Sequence, residues 1–184
     1  MNKVRKIIMS TAAATIMAIG CVGGVTASAA TNNVRSNTYV APATITTIVA
    51  NKDFNSTKKT GNVTIATTWK LRATGRSSNG RNYIAPSSYK ITIKGLNKKG
   101  KVTGTKTYKI SATSKSITTS KGYKTYRVHM SYDTAKRAFG SIPEKVSVSV
   151  QPITNQSKVN AAFSSTKTVT VKQTYSGKTV APKR

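Results

Sequence analysis

The sequence predicts an all-β protein: an antiparallel β-sandwich of immunoglobulin-like architecture, with about seven or eight strands and one short helix. Three observations predict it. Apolar residues recur at every second position in run after run, turn residues separate the runs, and a single stretch has helical spacing. A partly open β-barrel is the alternative that the same pattern allows.

The chain begins with a segment that the fold does not need. Met1-Asn2-Lys3-Val4-Arg5-Lys6 is positive, Ile7 to Val25 is apolar, and Thr26-Ala27-Ser28-Ala29-Ala30 is small at its end. Those are the three parts of a cleavable secretory signal, with cleavage expected after Ala29 or Ala30. Cys21, the one cysteine, lies within it. Its surroundings, Ala18-Ile19-Gly20-Cys21, match a lipidation site only loosely, since the apolar run continues beyond the cysteine. The mature chain then has no disulfide, thiol nucleophile or thiolate metal site. About 154 residues remain, the length of one domain.

Residues 31–42 are polar, end at Pro42 and read as a flexible linker. A single sandwich domain is expected over 43–175, and 176–184 as a flexible basic tail. Residues 43–50 are β-branched enough for a strand, with unclear phase. In 62–74, Val63, Ile65, Thr67, Trp69 and Leu71 alternate with Thr64, Ala66, Thr68, Lys70 and Arg72, which marks a half-buried strand with Trp69 as a core anchor. Tyr89, Ile91 and Ile93 form a second such run. Asn97-Lys98-Lys99-Gly100 then reads as a hairpin turn with glycine in the left-handed position. The partner run, 101–111, alternates poorly, because Lys106 shares the phase of Tyr108 and Ile110. A bulge near Gly104, or a sheet edge, is expected there. A short strand around Ile117 follows, then the run of Tyr126, Val128 and Met130.

Tyr132 to Phe139 carries the helical spacing, with Ser131 or Asp133 as N-cap and Gly140 as its stop. Two more alternating runs, Val146-Val148-Val150 and Val169-Val171, complete the count.

Charge is the strongest departure from ordinary composition. The chain has 31 Lys plus Arg against three Asp plus Glu. Without Lys3, Arg5 and Lys6, 28 bases face the same three acids, so the mature net charge is +25. Few of these bases can be neutralised internally, and the long-range field of such a protein draws in anions. Lysine supplies 21 of the 28. An ammonium on a flexible stem suits diffuse attraction to a polyanion, whereas an Arg fork reads one defined group.

Enzyme chemistry is poorly provided for. The carboxylates are Asp53, Asp133 and Glu144, and His129 is the one histidine. A paired-carboxylate mechanism would have to bring two of three distant acids together. A metal site would need about three ligands from these four side chains, and no glycine-rich phosphate loop is present. A non-enzymatic protein without cofactor or metal is expected.

The candidate binding residues are the bases on the outward phase of strands, Lys70, Arg72, Lys90, Lys94, Arg127, Lys145 and Lys172, together with Lys98, Lys99 and Lys101 at the hairpin tip. Where such strands neighbour each other, their outer face becomes a cationic plane.

The expected partners are anionic polymers of a Gram-positive cell envelope, such as teichoic acid or acidic polysaccharide. Extracellular nucleic acid is a further polyanion of the right sign, although no nucleic-acid-binding motif is present. Beyond the signal no apolar run is long enough to span a membrane. A secreted, cell-surface-associated protein held by charge is therefore expected. The rival expectation is a secreted antagonist, bacteriocin- or toxin-like, acting on anionic membranes. The same charge favours it, and the lack of a cationic amphipathic helix opposes it.

Overall fold

A computed structural model describes residues 37–55, 59–72, 75–76, 80–156, 159 and 164–174. Residues 1–30, where an export segment with Cys21 is expected, and 176–184, where a basic tail is expected, lie outside the described residues. In chain order the elements are β1 (Thr38–Val40), β2 (Ala43–Asn55), β3 (Thr60–Leu71), β4 (Gly75–Arg76), β5 (Asn82–Ile84), β6 (Ser88–Leu96), β7 (Val102–Ser111), β8 (Ile117–Ser120) and β9 (Tyr123–Ser131). Helix α1 (Tyr132–Phe139), β10 (Lys145–Ile153), β11 (Ser165–Thr170) and β12 (Lys172–Gln173) complete them.

Two large sheets carry the fold, one ordered β11-β10-β6-β7 and the other β12-β2-β3-β9-β8, and neither closes on itself. A small third sheet, β1-β5-β4, stands at one end. The all-β sandwich that the alternation predicts is therefore present. The strand count exceeds seven or eight because β1, β4, β5 and β12 are only two or three residues long, too short to show a period. One of them, β1, falls within 31–42, the stretch that reads as linker. There Val40 and Ala41 are buried, and the Ala41 N–H donates to the Ile84 carbonyl at 2.6 Å.

A single core fills the space between the large sheets. Ile45, Ile48, Val63, Ile65, Trp69, Val128 and Met130 face Tyr89, Ile91, Ile93, Val146, Val148 and Val150 across it. Fully burying each large apolar side chain is worth about 1.5–3 kcal/mol. Trp69 is completely buried and meets Tyr89 edge-on, with ring centroids 5.1 Å apart.

The irregular runs have local causes. In β2 the register slips between Ile45 and Thr47, so Thr46 is an extra, bulged residue. The bulge brings both Ile45 and Ile48 to the inner face although they are three apart, which is why 43–50 shows no clean phase. A second slip, in β7, leaves Thr103 opposite no residue of β6, beside the Gly95–Gly104 pair. Both the bulge near Gly104 and the edge position of β7 agree with the sequence. The β6–β7 turn has Gly100 at φ +81°, with its N–H bonded to the Asn97 carbonyl at 2.9 Å.

Helix α1 plugs the end of the sandwich nearest that turn. Ser131 caps it, its Oγ accepting from the Thr134 N–H at 3.4 Å, and Gly140 ends it at φ +70°. Ala135 and Phe139 are wholly buried.

Along one flank the chain stitches the sheets together. β11 belongs to the four-stranded sheet and β12, one residue later, to the five-stranded one. The Ile45 N–H donates to Ser165 Oγ at 3.0 Å, and Lys167 Nζ donates to the Thr46 carbonyl at 2.9 Å. Further along, Lys52 Nζ lies 3.0 Å from Glu144 Oε1.

Candidate anion-binding surface

Alternation fixes which side chains leave the core, and pairing fixes which of them become neighbours. On the four-stranded sheet, register places Lys90 opposite Lys109 on β7 and Gln151 on β10. Lys94 lies between Thr105 and Ser147, and Lys145 stands between Leu96 and Thr170. Thr92, Thr107, Ser149, Thr166 and Thr168 also lie on this face, so its outward residues around the lysines are neutral and, apart from Leu96 beside Lys145, polar. Lys98, Lys99 and Lys101, all exposed, continue the face at the β6–β7 turn. Six of the ten bases singled out from the sequence thus gather on one side of the molecule.

Lys109 joins them and was not foreseen. Its outward phase is set by Tyr108 and Ile110, but the bulge at Thr103 and the inward phase of Lys106 hide the alternation of β7. The direct Lys90–Lys109 pairing puts like charges face to face, an arrangement that costs stability on a sheet.

The other four bases lie elsewhere. Lys70, Arg127 and Lys172 occupy the outer face of the five-stranded sheet, on the opposite side of the sandwich. That face is otherwise rich in threonine: Thr47, Thr68, Thr125 and Thr118 form a row across four adjacent strands, with Thr68 Oγ1 and Thr125 Oγ1 2.9 Å apart. Three bases spread over five strands do not make a plane. Arg72 follows β3 at the end of the sandwich remote from the β6–β7 turn, its guanidinium 5.4 Å from the centre of the Tyr83 ring. An open cleft of about 720 Å³ at that end is lined in part by Lys70 and Arg72.

The aromatic residues beside bases are mostly interior. Tyr89 is fully buried, and burial pushes its hydroxyl up to about 12; the nearby Trp69 indole offsets part of that without reaching hydrogen-bond geometry. Tyr108 and Tyr126, half-buried, meet edge-on at 5.7 Å between the sheets, and burial raises both hydroxyls. Tyr123 is the exposed one, 39% accessible, with Lys70 Nζ 5.7 Å from its ring centre.

The acids are dispersed. Asp53 sits near the end of β2, Asp133 is exposed in the first turn of α1, and Glu144 is the partner of Lys52. His129 lies on the outer face of β9, its Nδ1 3.1 Å from Thr64 Oγ1. His129 and Asp133 stand on different elements, as their position across a strand-to-helix change implies.

No protein-family model matches the chain, and no curated protein matches it. Among solved structures, one named as a candidate beta-galactosidase from Bacteroides fragilis overlaps at a TM-score of 0.39 and 11% identity. The overlap covers 70% of this chain and 17% of that one, and a likeness so slight bears on neither fold nor chemistry.

Proposed function

We propose that this is an exported, non-enzymatic protein that binds anionic cell-envelope polymers, teichoic acid or acidic polysaccharide, by charge. The observation that carries the reading is the outer face of the four-stranded sheet. Lys90, Lys94, Lys109 and Lys145 stand there among hydroxyls and amides, and Lys98, Lys99 and Lys101 extend them at the turn. A long polyanion laid across this face displaces condensed counterions, and their release is the driving force. The rigid sheet holds the ammonium groups on one plane, so a flexible polymer adapts to the protein at little cost to the fold.

The experiment is equilibrium binding of the mature protein to purified envelope polymers over a salt series. Affinity should fall steeply with salt. Replacing Lys90, Lys94, Lys109 and Lys145 together by Gln should lower the slope of log K against log salt by up to about 3, at about 0.7–0.9 per neutralised anion. A slope indifferent to those four residues would overturn the assignment of the face.

A further inference from the structure

The geometry points to a second, more selective anion site: the cleft at the opposite end of the sandwich takes a phosphodiester unit of a polyol-phosphate chain. This goes beyond the lysine plane, with which the cleft shares no residue. Its polar lining converges from three segments: Thr44 and Thr46 of β2, Lys70 and Arg72 at the end of β3, and Ser164 and Ser165 at the start of β11. Leu71 and Pro42 provide apolar wall. No carboxylate is among the described residues that line it.

Each part of the lining suits a phosphate better than its rivals. Two cations and the hydroxyls of Thr44, Ser164 and Ser165 border the cleft from three segments, a donor set suited to the several oxygens of a phosphate, while the Thr46 hydroxyl donates to the Thr68 carbonyl. A planar carboxylate is satisfied by one fork. No aromatic ring is among the described residues that line the cleft, so these offer no platform on which a nucleobase could stack. At about 720 Å³ the space falls within the range of small-molecule sites and far exceeds one free phosphate. The apolar wall accommodates the carbon skeleton between phosphates.

Arg72 is the residue that makes the site more than a hollow. Its guanidinium lies over Tyr83, which is 5% exposed. Tyr83 in turn meets Tyr39 at 6.2 Å, and the far ring of that pair carries Arg81 at 5.0 Å. The ladder Arg72–Tyr83–Tyr39–Arg81 holds the guanidinium by cation–π attraction, which uses none of its N–H groups. The small sheet β1-β5-β4 therefore acts as a brace for one arginine. Tyr83 is a positioning residue and touches no ligand in this arrangement.

The test is a titration of the isotope-labelled full mature protein with a synthetic glycerol phosphate trimer, followed by amide chemical shifts. The expected result is saturable movement of Thr44, Thr46, Arg72, Ser164 and Ser165. It should persist in the variant with Lys90, Lys94, Lys109 and Lys145 all changed to Gln. Lys70→Ala with Arg72→Gln should weaken trimer binding by about tenfold or more, as expected for lost hydrogen bonds to a charged group. Arg72→Lys keeps the charge, loses the fork and should fall between. Tyr83→Leu should weaken the trimer while leaving the salt slope of long-polymer binding unchanged. Lys70, Arg72, Lys90, Lys94 and Lys109 are exposed and Lys145 is half-buried, and unaltered shift dispersion checks the fold.

Trimer affinity unchanged in the Lys70/Arg72 variant would overturn the inference, as would movement confined to the lysine plane. A uronate trimer binding as tightly would overturn the choice of phosphate. Long-polymer binding without cleft movement would defeat this site alone, whereas cleft binding without any effect of the four lysines would defeat the proposed plane alone.

Discussion

At the scale of single residues, the core holds a cost that pH can expose. Tyr89 Oη and Trp69 Nε1 are buried without a hydrogen-bond partner, and each such group forfeits about 1–3 kcal/mol of solvation. Burial also raises the Tyr89 hydroxyl from 10.0 to about 12. In the unfolded chain it ionises near pH 10, and in the folded protein it holds its proton until about pH 12. Its contribution is therefore fully present below pH 10 and lost as pH rises toward 12. The loss is on the order of 2–3 kcal/mol for about two units. Tyr89→Phe should thus melt at the same temperature or higher at pH 7, and should lose less stability between pH 10 and 12. Every other group is common to both proteins, so the difference between their melting curves isolates Tyr89. Identical alkaline limbs would show that Tyr89 does not titrate as its burial requires.

At the scale of elements, helix α1 depends on two glycines that no periodicity reveals. Gly95 and Gly104 face each other on β6 and β7, and Phe139 lies on the gap they leave. A Cβ on Gly104 would sit 2.5 Å from the Phe139 Cα and 2.6 Å from the Ala138 carbonyl oxygen. Those are backbone atoms and cannot turn aside, so the helix itself would have to shift. Gly104→Ala should cost about 3 kcal/mol, the upper end for overpacking, against less than about 0.5 kcal/mol for Thr105→Ala on the outer face. Thermal melts of the two variants compare them directly. Regular alternation made β3, β6, β9 and β10 legible in the sequence, and cap chemistry made α1 legible. Bulges concealed two phases, Thr46 that of β2 and Thr103 the outward position of Lys109, and β1, β4, β5 and β12 are too short to show one. The cleft was illegible for another reason. Thr44 and Lys70 are partners in the β2–β3 ladder, but Ser164 and Ser165 reach them only because β11 crosses beside β2.

At the scale of the whole molecule, salt should act on folding and on binding with opposite signs. A net charge of +28 over the chain repels itself, and compaction brings the charges closer. The described fold relieves little of this internally: Lys52–Glu144 neutralises one base, while Lys90 and Lys109 are set opposite each other. Added salt screens that repulsion, with a Debye length falling from about 10 Å at 0.1 M to about 3 Å at 1 M. The melting temperature of the free protein should therefore rise as salt is added from a low level. Binding to a polyanion relieves the same repulsion and also gains from counterion release, so the polymer should raise the melting temperature most at low salt. With polymer in excess, the increment should shrink toward zero as salt rises, while the free protein keeps gaining. A melting temperature that fell with salt in the free protein would mean that attractive pairs outweigh repulsion, leaving no unbalanced field to gather a polymer. An increment that survived high salt would place the contact in hydrogen bonds of the cleft rather than in the lysine plane. Calorimetry over one salt series, with and without polymer, therefore separates the two modes of recognition that the sandwich offers at its face and at its end.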